Sequence, residues 1–160
     1  MEKIIVRNFK SEDLDELLEL YRHTVNTINI RDYSPEQIAV WIPEKFDKEK
    51  WLSNLMSRVC FIAQKNNQLV GFGSMTPEGV VYHLYVHKDF QGQKIGSKLL
   101  KALEDEARSM GLKQLTTESS ITALPFFKAH GYALVDTQEK EYKGMTFVIN
   151  TMKKSLSQFS

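Results

Sequence analysis

The chain has 160 residues, 42% of them hydrophobic and 26% charged, a size and composition typical of one globular domain with a single core. Its formal net charge of +1 gives no bias that would indicate a nucleic acid or an anionic membrane as a partner. The one cysteine, Cys60, excludes an internal disulfide, and with four dispersed histidines it offers no spacing for a metal site, so we expect no metal cofactor.

The N-terminal stretch, MEKIIVRNFKSED, carries charges early and lacks the long apolar core of a signal peptide. No apolar run approaches the roughly 18 residues of a membrane span, and we therefore predict a cytoplasmic protein. Because no repeat, low-complexity tract or linker interrupts the sequence, we also predict one domain over residues 1–160.

The first third of the chain predicts one strand followed by helices. The segment KIIVRNF is rich in β-branched residues and predicts a strand. The segment SEDLDELLELYRHTV begins with a capping signature at Ser11 and continues with leucines at helical spacing. Pro35 after Ser34 begins a short helix that Pro43 ends, and DKEKWLSNLMS predicts a further helical segment.

From residue 58 onward the pattern changes to strands. RVCFIAQ and QLVGFGSM flank the polar turn KNN and predict a hairpin, and GVVYHLYVH predicts a third strand. Cys60 lies in the first of these apolar runs, so we expect a buried, unreactive thiol. A helix follows over about residues 95–110 and ends at Gly111. LKQLTTES then predicts a strand, ALPFFKAH a short helix ended by Gly131, and YALVDTQEKEY with MTFVINTMKK a final hairpin, which together make a mixed α/β domain.

The loop before the long helix has the features of an anion site. Gly92 and Gly96 bracket the first turn of that helix, whose N–H groups lack intrahelical partners and carry the positive end of the dipole. Glycine also lets a phosphate approach the backbone. The alternative is that Gly92 serves a turn and Gly96 close helix packing. Neither G-x-x-x-x-G-K-[ST] nor G-x-G-x-x-G is present, which argues against nucleoside triphosphates and dinucleotides.

This region resembles the central motif of the GNAT superfamily, the coenzyme A-dependent N-acetyltransferases. In that family a strand of the L-x-V type precedes [QR]-x-x-G-x-[GA] at the start of a long helix. The matching residues are Leu84, Tyr85 and Val86, then Gln91, Gly92, Gln93, Lys94, Ile95 and Gly96. Downstream, SSITALPFFKAHGYALV resembles the family segment S/N-x-x-A-x-x-F-Y-x-x-x-G-F through Ser120, Ala123, Phe126, Phe127, Gly131 and Tyr132. The order of elements agrees with the family over nearly the whole chain.

The resemblance implies a GNAT-like acyl-CoA N-acyltransferase fold, with a mixed, mostly antiparallel central sheet and helices on both faces. It implies acetyl-CoA as cosubstrate, with the pyrophosphate on the backbone amides of residues 91–97 and the pantetheine arm along residues 84–86. Ser120 would reach the pantetheine from the other side and Phe126 would pack along it. The predicted coenzyme-binding residues are Leu84, Tyr85, Val86, Gln91, Gly92, Gln93, Lys94, Ile95, Gly96, Ser97, Ser120, Phe126 and Phe127.

Two residues depart from the family motifs. Lys94 replaces the first motif glycine, and we expect a helical φ there, which does not require glycine. Its side chain either adds a charge toward a phosphate of the coenzyme or faces solvent. Phe127 stands where many members have the tyrosine thought to protonate the leaving thiolate, so that general acid is absent from its expected place.

The implied reaction is direct transfer of an acetyl group to an amine in a ternary complex, which needs a base for the attacking amine. Glu118, at the end of a predicted strand, is the first candidate and His83 the second. Tyr85, like Tyr82, could supply or relay a proton. The alternatives are an exposed carboxylate for Glu118 and packing within the sheet for His83 and the tyrosines.

The acceptor site is expected in NIRDYSPEQIAVWIP, where Tyr33 and Trp41 could shape an apolar or aromatic-amine site together with His23. Packing of the aromatic rings on the core is the alternative. The acceptor is a small molecule or a protein, and the C-terminal hairpin could support a homodimer. Because Phe127 removes the usual acid, a non-catalytic acyl-CoA-binding or sensor domain is the second hypothesis. A nucleotide-binding module is the third.

Overall fold

The computed structural model describes residues 3–156 and contains each helix and strand that the sequence predicts. The elements are β1 (Ile5–Asn8), α1 (Leu14–Thr27), α2 (Pro35–Trp41), α3 (Lys48–Met56), β2 (Val59–Lys65), β3 (Gln68–Met75), β4 (Val80–Val86), α4 (Ile95–Ser109), β5 (Gln114–Ser119), α5 (Leu124–Ala129), β6 (Ala133–Tyr142) and β7 (Met145–Ser155). The ends of the predicted domain, residues 1–2 and 157–160, lie outside the described residues. No helix within residues 3–156 is long and apolar enough to cross a membrane.

The helix starts follow local capping chemistry, with one correction to the sequence interpretation. At α2, the Ser34 hydroxyl accepts a hydrogen bond from the Gln37 backbone N–H at 3.1 Å, as its position before Pro35 predicts. Before α1, however, Ser11 lies in a short 3-10 turn and is not the cap. The Asp13 carboxylate caps that turn by accepting from the Lys10 N–H at 2.8 Å. Its ion pair with Arg7, also 2.8 Å, lowers the pKa of Asp13 mainly through the hydrogen bond from the guanidinium.

In the described part of the chain, seven strands form one mixed sheet in the order β1-β2-β3-β4-β5-β7-β6. β4 and β5 are parallel, and the other neighbouring pairs are antiparallel. This confirms the expected mixed, mostly antiparallel sheet. β6 forms one edge of the sheet, and its pairing with a second subunit stays a prediction.

Helices cover both faces of the sheet because alternate side chains of each strand point to opposite sides. One core contains α1 residues such as Leu17 and Tyr21 packed with Ile62 and Phe72 of the sheet. The helices α2 and α3 contribute to the same core. On the other face, α4 and α5 pack against the sheet, with Leu99 and Leu103 fully buried.

The fold also buries Cys60 and Glu104, which lie away from the cleft described below. Cys60 is buried as expected, and burial raises the pKa of its thiol to about 12, so the thiol is unreactive near neutral pH. The Glu104 carboxylate accepts a hydrogen bond from the Tyr132 hydroxyl at 2.8 Å and pairs with the Lys154 ammonium at 3.1 Å. This network ties α4 to β7 and to the glycine-tyrosine turn after α5.

Candidate active site

The central feature of the candidate site is an opening between β4 and β5. Their hydrogen-bonded register joins Val80 to Thr116 and Val81 to Thr117, and beyond these pairs the two strands separate. A β-bulge in β4 lies at the same point, because Val81 pairs with Met75 whereas His83 pairs with the adjacent Ser74. Bulges bend a strand and redirect its groups, and they are common beside functional sites.

The bulge determines which backbone groups of β4 face the opening. The His87 N–H donates to the Val70 carbonyl of β3 at 2.8 Å, toward the other side of the strand. Since successive residues in a strand alternate in direction, the backbone groups of Leu84 and Val86 point into the opening. The Val86 carbonyl already accepts from the Thr24 hydroxyl at 3.1 Å and from the Gln91 side chain at 2.8 Å. The Leu84 groups and the Val86 N–H therefore remain to bind an extended chain placed alongside.

A cavity of about 700 Å³ fills this opening and extends on both sides of it. Most of the predicted coenzyme residues line it: Leu84, Tyr85, Val86, Gln91, Gly92, Lys94, Ile95, Gly96, Ser97, Ser120, Phe126 and Phe127. The exception is Gln93, which lies outside the described lining and accepts a hydrogen bond from Lys65 at 3.2 Å.

Glycine suits Gly92 and Gly96 of the turn for two different structural reasons. Gly92 has a φ of +78°, and a Cβ there would meet nothing within 4 Å, so glycine serves a left-handed turn beside open space. At Gly96, a Cβ would lie 3.2 Å from Cε1 and 3.3 Å from Cζ of Phe126. Gly96 therefore allows the close approach of α4 to α5 at the edge of the cavity.

The expectation of a helical φ at Lys94 is wrong. Lys94 has φ 64° and ψ 20°, the left-handed conformation, and α4 begins one residue later at Ile95. The chain needs a left-handed residue to turn from the loop into the helix, which is why a glycine suits this position in the family motif. The exposed lysine adopts the same conformation at a conformational cost.

The candidate catalytic side chains all line the cavity, in different environments. Glu118 is exposed on β5, where its carboxylate pairs with the Lys140 ammonium at 2.9 Å. His83 lies 2.7 Å from the Ser74 hydroxyl and stacks on Trp51, and burial lowers the pKa of His83 to about 3. Burial also raises the pKa of Tyr85 well above its ordinary value, so this hydroxyl keeps its proton.

Two of the three predicted acceptor residues form one wall of the cavity. The rings of Tyr33 and Trp41 meet edge to face with centroids 5.1 Å apart, and Phe147 of β7 lies 6.0 Å from Tyr33. The Tyr33 hydroxyl accepts from the Ile121 N–H at 2.8 Å, which joins this wall to the Ser120 segment. His23 lies outside the described lining and packs against His87 instead, with ring centroids 4.3 Å apart.

The sequence interpretation missed the contribution of the C-terminal hairpin. Five of its residues line the cavity: Lys140, Glu141, Tyr142, Phe147 and Ile149. The aromatic residues on either side of the turn at Lys143 were the available signal. Their place near the site follows from the sheet order, in which β7 lies beside β5.

Phe127 is part of both the core and the cavity lining. Its side chain is buried, and its ring packs edge-on against Tyr132 with centroids 5.2 Å apart. It therefore fills the position that the family motif gives to tyrosine with a group that cannot donate a proton.

Comparisons of the sequence with known proteins agree with its resemblance to the GNAT superfamily. A family described as Acetyltransferase (GNAT) domain matches residues 29–156. The uncharacterized N-acetyltransferase YafP of Escherichia coli is 31% identical over 147 residues, which cover 92% of this chain and 93% of the relative. Spermidine N(1)-acetyltransferase of Thermoplasma acidophilum is 25% identical over 87% of this chain and 94% of its own.

Solved structures agree with the fold over nearly the whole chain. A protein from Rhodopseudomonas palustris, described as a GCN5-related N-acetyltransferase, aminotransferase class-II, superposes with a TM-score of 0.92 at 29% identity, with 98% of each chain covered. The PaiA N-acetyltransferase of Thermoplasma acidophilum, crystallised in complex with coenzyme A, gives a TM-score of 0.80 at 25% identity and covers 96% of this chain and 99% of its own.

Proposed function

This chain belongs to the GNAT acetyltransferase superfamily, and from that premise we propose that residues 1–160 form one domain that transfers an acetyl group from acetyl-CoA to a primary amine. The acceptor attacks the thioester directly in a ternary complex. The observation that carries the proposal is the opening beside β4, where the backbone groups of Leu84 and Val86 face a cavity.

The residues around the opening fit coenzyme A. A pantetheine arm is an extended chain with amide groups, and it can pair with the free backbone groups of β4 as a strand would. The N-terminus of α4 offers backbone N–H groups to a pyrophosphate, and the open space at Gly92 lets the phosphate approach them. When bound, acetyl-CoA supplies the thioester, and the Leu84 or Val86 N–H would polarise its carbonyl oxygen.

Glu118 is our proposed base. Its exposed carboxylate lines the cavity, whereas His83 is a poor base because burial holds its pKa at about 3. Lys140 pairs with one carboxylate oxygen of Glu118, so the other oxygen can accept the proton of the amine, directly or through water. Tyr85 lines the same cavity and is our candidate to protonate the departing thiolate in place of Phe127.

We propose that the acceptor carries its amine on an apolar or aromatic body. The wall formed by Tyr33, Trp41 and Phe147 suits a flat apolar group. A spermidine acetyltransferase is among the relatives, but a polyamine carries several positive charges and favours a site with excess negative charge. Here Lys140 offsets the charge of Glu118 at the same end of the cavity.

The test is a thiol-release assay with acetyl-CoA and a panel of aromatic, alkyl and polyamine acceptors and peptides. We expect turnover with an arylalkylamine, and a loss of kcat by about 100-fold or more in Glu118→Gln with the Kd of coenzyme A unchanged. His83→Gln is the matched control and should keep most of the activity. If neither acetyl-CoA nor free coenzyme A raises the melting temperature of the wild-type protein, the proposal fails at its first step.

The second candidate function is a non-catalytic acyl-CoA sensor, and the observation that favours it is the buried Phe127 ring at the position of the motif tyrosine. This candidate predicts clear binding of acetyl-CoA and no thiol release with any acceptor in the panel. Turnover with one acceptor excludes it.

A further inference from the structure

A serine–histidine contact joins α4 to α5 at the edge of the cavity. The Ser97 hydroxyl oxygen lies 2.7 Å from Nε2 of His130, and Nδ1 of His130 lies 2.8 Å from the Phe126 carbonyl oxygen. The His130 ring also stacks on the Phe126 ring, with centroids 4.2 Å apart and planes 29° from parallel. Both Ser97 and His130 line the cavity, yet the predicted site contains only Ser97.

The hydrogen bond to Phe126 determines the tautomer of neutral His130. A carbonyl oxygen only accepts, so Nδ1 must carry the hydrogen and donate it. In the neutral ring Nε2 then has no hydrogen and accepts the one hydrogen of the Ser97 hydroxyl. In this state the Ser97 oxygen presents lone pairs to the cavity, an arrangement that repels an anion.

Protonation of His130 at Nε2 reverses the direction of its hydrogen bond with Ser97. Nε2 then donates to the Ser97 oxygen, and the serine hydrogen is released to point into the cavity, where it can donate to a phosphate oxygen. The imidazolium also adds a positive charge behind the serine. Both changes favour a bound anion, and since binding is linked to protonation, the anion in turn favours the protonated ring.

We propose that His130 is a positioning residue for the coenzyme, and that a pyrophosphate bound at Ser97 takes up one solvent proton onto His130. The inference rests on the proposed function, because the coenzyme A site is its premise. It assigns a role to a residue at a variable position of the second sequence motif and makes coenzyme affinity dependent on pH.

Several lysines lie on the parts of α4, α5 and β7 nearest to His130 and Gly131 in the sequence or in space. Lys94 is the residue before α4, Lys98 lies in the first turn of α4, and Lys128 is on α5. The Lys154 side chain of β7 passes beside Gly131, and its charge is balanced by Glu104. A bound pyrophosphate would offset the positive charge of these lysines and would stabilise a proton on His130 in the complex.

The test uses dephospho-CoA as the calorimetric ligand between pH 5 and 8, the range in which histidines titrate. This ligand keeps the pyrophosphate and lacks the 3′-phosphate, whose own second ionisation near pH 6 would obscure the result. The variants are His130→Gln, which places an amide donor near Ser97, and His130→Asn, which is too short to reach it. Ser97→Ala removes the hydroxyl.

We expect the Kd of the wild type to rise severalfold from pH 5.5 to 7.5. The Kd of His130→Gln should not change over this pH range and should stay near the wild-type value at pH 5.5. At pH 5.5 His130→Asn should bind about tenfold more weakly than the wild type, the equivalent of about 1.4 kcal/mol. At that pH Ser97→Ala should cost less in the His130→Asn background than in the wild type, because the contact between the two residues is already lost. Pantetheine, which lacks both phosphates, should bind all the variants alike.

Superimposable pH profiles for the wild type and His130→Gln would overturn the inference. So would additive losses in the double variant, or an equal loss of pantetheine binding, since each indicates a purely structural role. A wild-type protein that binds coenzyme A with no such pH dependence refutes the inference and leaves the proposed function intact. Failure of the wild type to bind coenzyme A at any pH refutes both.

Discussion

Lys94 is the residue where the sequence and the backbone conflict most, and its replacement by glycine should stabilise the protein. Its φ of 64° costs an L-residue about 1–2 kcal/mol relative to a right-handed conformation. Glycine removes that cost but loses about 0.5–1 kcal/mol through the greater freedom of the unfolded chain. The net gain for Lys94→Gly is about 0.5–1 kcal/mol, or about 2 °C in Tm for a domain of this size.

Three variants separate backbone strain from charge. Lys94→Ala removes the charge and keeps the strain, so its Tm should stay near the wild-type value in differential scanning calorimetry. Lys143→Gly is the matched control, because Lys143 is also left-handed, with φ 50°, in the β6–β7 turn away from α4. It should gain stability by a similar amount and leave coenzyme binding unchanged.

Coenzyme affinity gives the second measurement on the same proteins. Lys94→Ala and Lys94→Gly should lose the same factor of about 2–5 in the Kd of coenzyme A, because both remove one exposed charge near the phosphates. The loss should shrink at high salt. Equal melting temperatures for the alanine and glycine variants would refute the strain argument, and tighter binding by the glycine variant than by the alanine variant would refute the charge argument.

Three further changes test the surrounding structure. Gly96→Ala places a Cβ against the neighbouring Phe126 ring and should weaken coenzyme A binding about tenfold with little loss in Tm. The control is Gly111→Ala, at φ +80° in open space at the far end of α4. It should lower Tm by a few degrees and leave binding, measured by calorimetry, unchanged. Glu104→Gln breaks a buried network and should lower the free energy of unfolding, measured by urea denaturation, by about 1–3 kcal/mol. Glu118→Gln removes an exposed pair and should lower it by only about 0–1 kcal/mol. Equal losses in the two variants would contradict the burial argument. Phe127→Tyr should raise kcat by about 10-fold or more at constant Kd for acetyl-CoA, and an unchanged kcat would show that the missing hydroxyl is not what limits the rate.

The sequence predicted the helices and strands well because their signals are local. Pro35 after a capping serine, the polar turn between β2 and β3, and Gly111 after α4 each act within a few residues of the chain. The motif that contains Gly96 is local as well, since the loop and the first turn of α4 follow one another directly. These features therefore required no knowledge of how the elements pack.

The acceptor side of the site was less predictable, because residues far apart in the sequence form it. Phe147 joins Tyr33 only because β7 is inserted between β5 and β6, an order that no local pattern specifies. Glu118 was a candidate base from its position, but its partner Lys140 comes from the same hairpin. His23 has suitable chemistry, yet the direction of α1 turns it toward His87 and away from the cavity.

The two departures from the family motifs have different physical consequences, and only one of them bears on the chemistry. At Lys94 the backbone keeps the left-handed turn that the motif requires, so the N–H groups of α4 still face the cavity and the change costs stability. At Phe127 the buried ring packs against Tyr132, so the core contact is made and the proton donor is absent. Binding of the coenzyme should therefore survive both changes. The rate of acetyl transfer then depends on whether the Tyr85 hydroxyl, on the lining of the same cavity, protonates the thiolate instead.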